Sequence, residues 1–169
     1  MIFWILVIVG VVFLDQASKL LVVHFLDRNE PFDLIEGVFR FSYVENRGAA
    51  FGMLDEHRWV FLILSTVGIL AFLFYLWKFR PKSVLGCLAF CFVIGGGIGN
   101  MIDRILLGYV IDFLDFCAFP SLWVWVFNVA DAFVCVGAGM MMLWLILETV
   151  KEARAKKTVD VSTDGQGES

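Results

Sequence analysis

The stretch "VLGCLAFCFVIGGGIGNMIDRILL", residues 84–107, is apolar over its first two thirds and then carries Asn100, Asp103 and Arg104. A helix that crosses the hydrocarbon core of a bilayer needs about 20 mostly apolar residues. The stretch therefore predicts a membrane-spanning helix with polar side chains near one of its ends.

Three further runs have the same apolar character. They extend from about Ile2 to Leu26, from Trp59 to Phe79 and from about Ser121 to Leu147. The whole chain is 60% hydrophobic and 18% charged, whereas a soluble domain is about half apolar and about a quarter charged. We therefore expect an all-α membrane protein, in which residues 1–150 form a single bundle of four transmembrane helices. No basic stripe indicates nucleic-acid binding.

The basic residues predict how the bundle is oriented. They are dense in the link between the second and third spans and after the fourth span, at Lys78, Arg80, Lys82, Lys151, Arg154, Lys156 and Lys157. Because short loops rich in Lys and Arg stay in the cytoplasm, we expect both termini inside and the loops 27–58 and 108–120 outside. The polar tail, residues 151–169, is expected to be disordered.

The first loop has the pattern of a strand. In "GVFRFSYVEN", residues 37–46, aromatic side chains alternate with other residues at the period of a β-strand. The following "NRGAAFG", residues 46–52, is typical of a turn. We expect a small extracytoplasmic β-sheet within residues 27–58.

Five charged residues lie inside the predicted spans: Asp15, Lys19, Asp103, Arg104 and Asp131. Each costs about 2.5–3.5 kcal/mol at the centre of a spanning helix. They must therefore face the bundle interior, one another or water. Residues three or four apart share a helix face, so the polar residues of three spans form stripes that can converge on one site.

A pair of carboxylates stands out, Asp112 and Asp131. Asp112 follows the third span by five residues, and Asp131 lies roughly ten residues into the predicted fourth span, about 10–15 Å below the outer surface. They can meet if the loop 108–120 folds back over that span. Asp115 is a rival partner for Asp131, although an interfacial charge is the simpler interpretation of it.

Two adjacent carboxylates in a poorly solvated site share one proton, because they cannot both ionise. One can take a proton from water while the other donates a proton to a carbonyl oxygen. This is aspartic-protease chemistry, and it requires no metal, cofactor or covalent intermediate. The sequence leaves open which aspartate is the base. Gly95 and Gly99, in "FVIGGGIGN", fit the small-residue pattern of closely packed membrane helices.

Four blocks in this order resemble the bacterial lipoprotein signal peptidases (signal peptidase II). The blocks are "DQASK" (15–19), "NRGAAFG" (46–52), "GNMIDRILLGYVIDF" (99–113) and "FNVAD" (127–131). The resemblance implies a multi-pass aspartic endopeptidase of the bacterial inner membrane, with its site near the extracytoplasmic face. Its substrates would be prolipoproteins carrying diacylglycerol, cut just before the lipidated cysteine, and globomycin would inhibit it.

The resemblance also implies site residues. Asp112 and Asp131 match the catalytic pair. The supporting or substrate-binding positions are Asp15, Lys19, Asn46, Gly48, Asn100, Arg104 and Asn128. Because four spans with a buried site can work alone, we expect a monomer in contact with membrane lipid.

Three alternatives remain open at the level of sequence. Buried acids also suit a small proton-coupled transporter that uses Asp131 as a relay, although no inverted repeat is evident. A structural membrane protein would tolerate Asp131→Asn. The other intramembrane aspartic class carries GxGD, where this chain has "GIGN", residues 97–100.

Overall fold

The computed structural model describes residues 2–48, 58–119 and 125–164. Four helices dominate it: α1 (Ile2–Phe25), α2 (Arg58–Phe79), α3 (Val84–Leu106) and α4 (Val129–Asp164). Each is long and apolar enough to cross a membrane, α4 over Val129–Lys156. The predicted four-helix membrane bundle is confirmed.

Helix α3 is the centre of the bundle, because it packs against each of the other three helices. Half of its span is buried, compared with 6% of the span of α2. Phe90, Ile94 and the α4 residue Trp144 form the apolar core. The exposed apolar side chains of the other helices are therefore the surface that lipid covers.

Glycines on α3 let α1 approach closely. A Cβ atom on Gly95 would lie 2.7 Å from the Val11 side chain, and one on Gly99 would lie 2.5 Å from Oδ2 of Asp15. Real Cβ atoms do not approach so closely, so neither position accepts a larger residue without movement. The packing role predicted for these two glycines is confirmed, and Gly99 also makes room for a charged group.

A four-stranded antiparallel sheet, in the order β1-β2-β3-β4, lies at the end of the bundle where α3 ends and α4 begins. Its strands are β1 (Phe32–Ile35), β2 (Phe39–Asn46), β3 (Val110–Phe116) and β4 (Val126–Phe127). The predicted strand is β2. The sheet is not confined to the first loop, however, because β2 pairs with β3 from Phe39–Phe116 to Asn46–Val110.

The expected start of the fourth span at residue 121 is wrong. Val126 and Phe127 pair with β3, the helix begins at Val129, and residues 121–124 lie outside the described residues. Hydropathy misplaced this boundary because a short apolar strand and a buried helical turn are equally apolar. Asp131 is consequently the third residue of α4, and not ten residues into a span.

The tail also differs from the prediction, because α4 continues to Asp164. Disorder from residue 151 is therefore wrong as far as this helix extends. Between Gly139 and Gly165 the chain has no glycine or proline, and the Glu, Lys, Ala and Arg residues up to Lys157 favour a helix. Of the predicted turn at 46–52, residues 49–52 lie outside the described part, while the Gly48 N–H donates to the Asn46 side chain.

Candidate active site

The polar stripes of α1 and α3 meet at Lys19. Its buried ammonium group lies 2.9 Å from Oδ2 of Asp15 and 2.8 Å from Oδ2 of Asp103. It also donates to Oδ1 of Asn100 at 3.1 Å. Three donors thus have three acceptors, and one cation lies between two buried carboxylates.

Asp103 connects this ion cluster to the sheet. The backbone N–H of Ile111, the residue before Asp112, donates to Oδ2 of Asp103 at 3.1 Å. The side chain of Gln16 donates to Oδ1 of Asp103 at 2.9 Å and to the Gly99 carbonyl at 3.2 Å. Sequence reasoning did not single out Gln16, although an amide beside Asp15 in an apolar span was a usable signal.

The N-terminus of α4 is closed by Asn128 and Asp131. The Asp131 N–H donates to Oδ1 of Asn128 at 2.8 Å, and the Asn128 N–H donates to Oδ2 of Asp131 at 3.3 Å. This reciprocal pattern is a capping box. Oδ1 of Asp15 accepts from the Ala130 N–H at 3.0 Å. Asp131 is therefore fixed by the helix start itself, where N–H groups and the helix dipole favour negative charge.

Asp112 lies on β3 and is 1% exposed. The side-chain amide of Asn46 donates to its Oδ2 at 2.8 Å, and that of Asn128 donates to its Oδ1 at 2.6 Å. The neighbouring strand β2 thus supplies one donor and the start of α4 supplies the other. Gly48 fixes the orientation of Asn46, because its N–H donates to the amide oxygen of Asn46.

Asn128 and Asn100 couple the two carboxylates. Asn128 donates to Asp112 from its side chain and to Asp131 from its backbone. Asn100 donates to Oδ1 of Asp131 at 2.7 Å and accepts from Asn128 at 3.0 Å. Asp112 and Asp131 therefore lie in one continuous hydrogen-bond network.

The electrostatics of Asp112 suit a shared proton. Burial, followed by the neighbouring negative charge of Asp131, raises the pKa of the Asp112 carboxyl to about 7. The hydrogen bonds from Asn46 and Asn128 act in the opposite direction, because they stabilise the ionised form. A carboxyl that titrates near neutrality can donate and accept a proton under physiological conditions.

Asp115 belongs to a different cluster. Its Oδ2 lies 2.7 Å from Nε of Arg40 and accepts from Ser42 at 3.0 Å. Both partners are on β2, so the contact joins two neighbouring strands. This ion pair accounts for Asp115 without any role in the pair formed by Asp112 and Asp131.

Arg104 lies beside the site on α3. It donates to the Asn100 carbonyl at 3.3 Å, and its guanidinium carbon lies 5.2 Å from the centroid of the Phe61 ring. It thereby places a positive charge on the α2 side of Asn100, close to the acids.

Asp112 is buried and Asp131 is partly buried, and a hydrogen-bonded network joins these two carboxylates at one end of a membrane-spanning bundle. This arrangement is the one expected of a membrane-embedded aspartic peptidase. The profile of the family described as Signal peptidase (SPase) II matches residues 7–147. The match covers most of the chain, and the chain belongs to the signal peptidase II family.

Named relatives agree with this assignment. A "Lipoprotein signal peptidase" of Clostridioides difficile is 39% identical, over 85% of this chain and 94% of that protein. One of Halothermothrix orenii is 42% identical, over 83% of this chain and 92% of the relative. A solved "Bacterial membrane enzyme structure" superposes with a TM-score of 0.80 at 28% identity, covering 88% of this chain and 90% of that one. The transporter alternative is not supported.

Proposed function

We propose that this protein removes the signal peptide from diacylglyceryl-modified prolipoproteins by cutting just before the lipidated cysteine. The coupling of Asp112 and Asp131 through Asn128 carries the proposal. The family membership and the names of the relatives support the choice of substrate.

In the proposed reaction, the pair holds one proton and positions one water molecule against the scissile carbonyl. The ionised carboxylate takes a proton from the water as its oxygen bonds to the carbonyl carbon, while the protonated carboxyl donates to the carbonyl oxygen. The resulting tetrahedral diol collapses, the C–N bond breaks and the leaving nitrogen takes up a proton. The products are a new carboxyl group on the signal peptide and a free amino group on the lipidated cysteine. Because the aspartates titrate as one unit, base and acid are not assigned to individual residues.

The surrounding residues orient the two carboxylates and allow the pair to hold one proton. Asn46, Asn100 and Asn128 orient the carboxylates by donating to them. Lys19 and Arg104 supply positive charge, which offsets the negative charge that two acids bring into a poorly solvated site. Asp15 and Gly48 act through their contacts with Ala130 and Asn46.

The proposal also places the molecule in the bacterial inner membrane. The basic link at 78–82 and the basic tail lie in the cytoplasm, and the site lies at the extracytoplasmic end. This location suits a signal peptide whose cleavage point emerges on the outer side. The enzyme acts as a monomer in contact with membrane lipid, and a globomycin-type inhibitor occupies the same site.

The direct test is to incubate the purified protein with a lipoprotein precursor in two forms, with and without diacylglycerol on its cysteine. We expect cleavage only of the lipidated form, with the new N-terminus at that cysteine by mass spectrometry. Equal cleavage of both forms, or cleavage at another bond, would contradict the proposed specificity.

A further inference from the structure

A groove between α1 and α2 lies at the end of the bundle opposite to the acids. Both helices pack on α3 and make little contact with each other. The space between them is a cavity of about 500 Å³, within the size range of ligand sites, roughly 300–1,000 Å³. Its walls are mostly apolar: Trp4, Ile5 and Ile8 on α1, and Leu73, Leu76 and Trp77 on α2.

Among the described residues that line this groove, Arg80 is the charged one. Arg80 is exposed, and none of the described residues supplies a carboxylate to it. Lys78 and Lys82 flank it in sequence. The groove therefore combines an apolar interior with a basic opening, and a basic pocket between membrane helices suits an anionic lipid headgroup.

The backbone of Arg80 supplies an independent observation. Its φ is +43°, and it is the one non-glycine residue with positive φ among those the structure describes. A residue just after a helix that adopts this conformation is usually glycine, which has no Cβ to clash. In this chain the residue is an arginine, and its positive φ turns the chain out of α2 immediately before Pro81. Strained backbone of this kind is concentrated at functional sites.

We propose that the groove between α1 and α2 binds one anionic phospholipid. An acyl chain lies between Ile8 and Leu73, and the phosphate contacts the Arg80 guanidinium. Trp4 and Trp77 flank the chain at the level where aromatic residues meet the membrane interface. The occupant is a lipid, since the groove is apolar and bounded by two helices that are themselves covered by lipid.

Native mass spectrometry of the full chain in detergent tests this proposal. Phosphatidylglycerol and phosphatidylcholine with identical acyl chains are added in equal amounts, and the bound lipid is counted. We expect one phosphatidylglycerol per chain, retained about tenfold better than phosphatidylcholine, the factor typical of one charge-assisted contact. Arg80→Gln should abolish the preference. Leu73→Trp, at an exposed position facing the groove, should displace both lipids.

Lys156→Gln is the matched control, because it removes an exposed charge on the same side of the bundle but outside the groove. It should leave the preference unchanged. The proposal is overturned if Arg80→Gln keeps the preference, if Leu73→Trp binds lipid as before, or if Lys156→Gln has the same effect as Arg80→Gln. It is also overturned if a dimer occupies the groove and Leu73→Trp separates the two copies. Bound lipid is read independently of cleavage, so the outcome does not depend on the proposed function.

Discussion

At the scale of single residues, Asn46 tunes the acid that it contacts. It donates to Oδ2 of Asp112, and this contact lowers the pKa of Asp112. Burial and the charge of Asp131 act more strongly in the other direction, so that the net pKa is raised to about 7. A carboxyl with a raised pKa keeps its proton to higher pH. The pair therefore loses its single proton as the pH rises through about 7, and kcat/KM should fall there.

Asn46→Ala should move this basic limb to higher pH, because it removes a donor that favours the ionised form. The measurement is the pH dependence of kcat/KM with lipidated precursor, which reports the free enzyme. Ser42→Ala is the control, because Ser42 lies on the same strand but donates to Asp115. The basic limb of the pH profile of this variant should stay where it is in the wild type. A limb that stays in place or moves to lower pH in Asn46→Ala would exclude this account of Asp112.

At the scale of elements, the site depends on how α1 and the start of α4 are held against α3. Lys19 on α1 holds Asp15 and Asp103, and these contact the backbones of Ala130 on α4 and Ile111 on β3. One buried cation therefore positions the elements that carry both acids.

Lys19→Met should destabilise the fold by about 3–5 kcal/mol, because it leaves two buried carboxylates without their cation. The matched control is Lys151→Met, which removes an exposed pair with Glu148 and should cost about 0–1 kcal/mol. Thermal unfolding in detergent, followed by intrinsic fluorescence, measures both. Equal shifts in Tm would show that the buried cluster does not hold the bundle.

Gly99→Ala should disturb the site, because a Cβ there meets the Asp15 carboxylate on α1. We expect loss of both activity and stability. Gly68→Ala on α2 is the control, since a Cβ there meets no atom of the described residues within 4 Å, and alanine in a helix is favoured over glycine by about 0.5–1 kcal/mol. The packing argument fails if Gly99→Ala behaves like Gly68→Ala in cleavage and in unfolding.

Sequence patterns were reliable for long elements and weak for short ones. Hydropathy located four helices, and period-two alternation located β2. The same signals missed β3 and β4, because β3 has apolar residues on both faces and β4 has two residues. Both strands form through pairing with partners distant in sequence, which a local pattern does not contain. For the same reason, hydropathy predicts Asp131 deeper in the fourth span than its position in the first turn of α4.

At the scale of the whole molecule, the polar residues of three helices converge on one site. This arrangement avoids the free-energy cost of exposing charged side chains to lipid. Helical spacing predicted the shared faces, and the resemblance supplied the identity of the pair. Neither indicated the particular partners of these residues. Asp15 caps α4 through Ala130, and Asn128 contacts both acids. These contacts follow from the packing of α1 and β3 around the start of α4.

The proposed orientation places the sheet outside and the link between α2 and α3 inside. In a cysteine-free background, Glu30→Cys should react in intact cells with a membrane-impermeant maleimide, whereas Lys82→Cys should react only after the cells are opened. Both positions are exposed, so the difference reports sidedness. The reverse labelling pattern would invert the proposed topology.

The central claim is that Asp112 and Asp131 act together on one water molecule. The most direct measurement is cleavage of a lipidated precursor by the purified Asp112→Asn, Asp131→Asn and Asp115→Asn variants, with folding checked by thermal unfolding. The account predicts that Asp112→Asn and Asp131→Asn each lower the cleavage rate by about a hundred- to ten-thousand-fold or more. Asp115→Asn, which is the same change three residues along β3, should keep substantial activity. Wild-type cleavage by folded Asp112→Asn or Asp131→Asn, or an equally complete loss in folded Asp115→Asn, would contradict it.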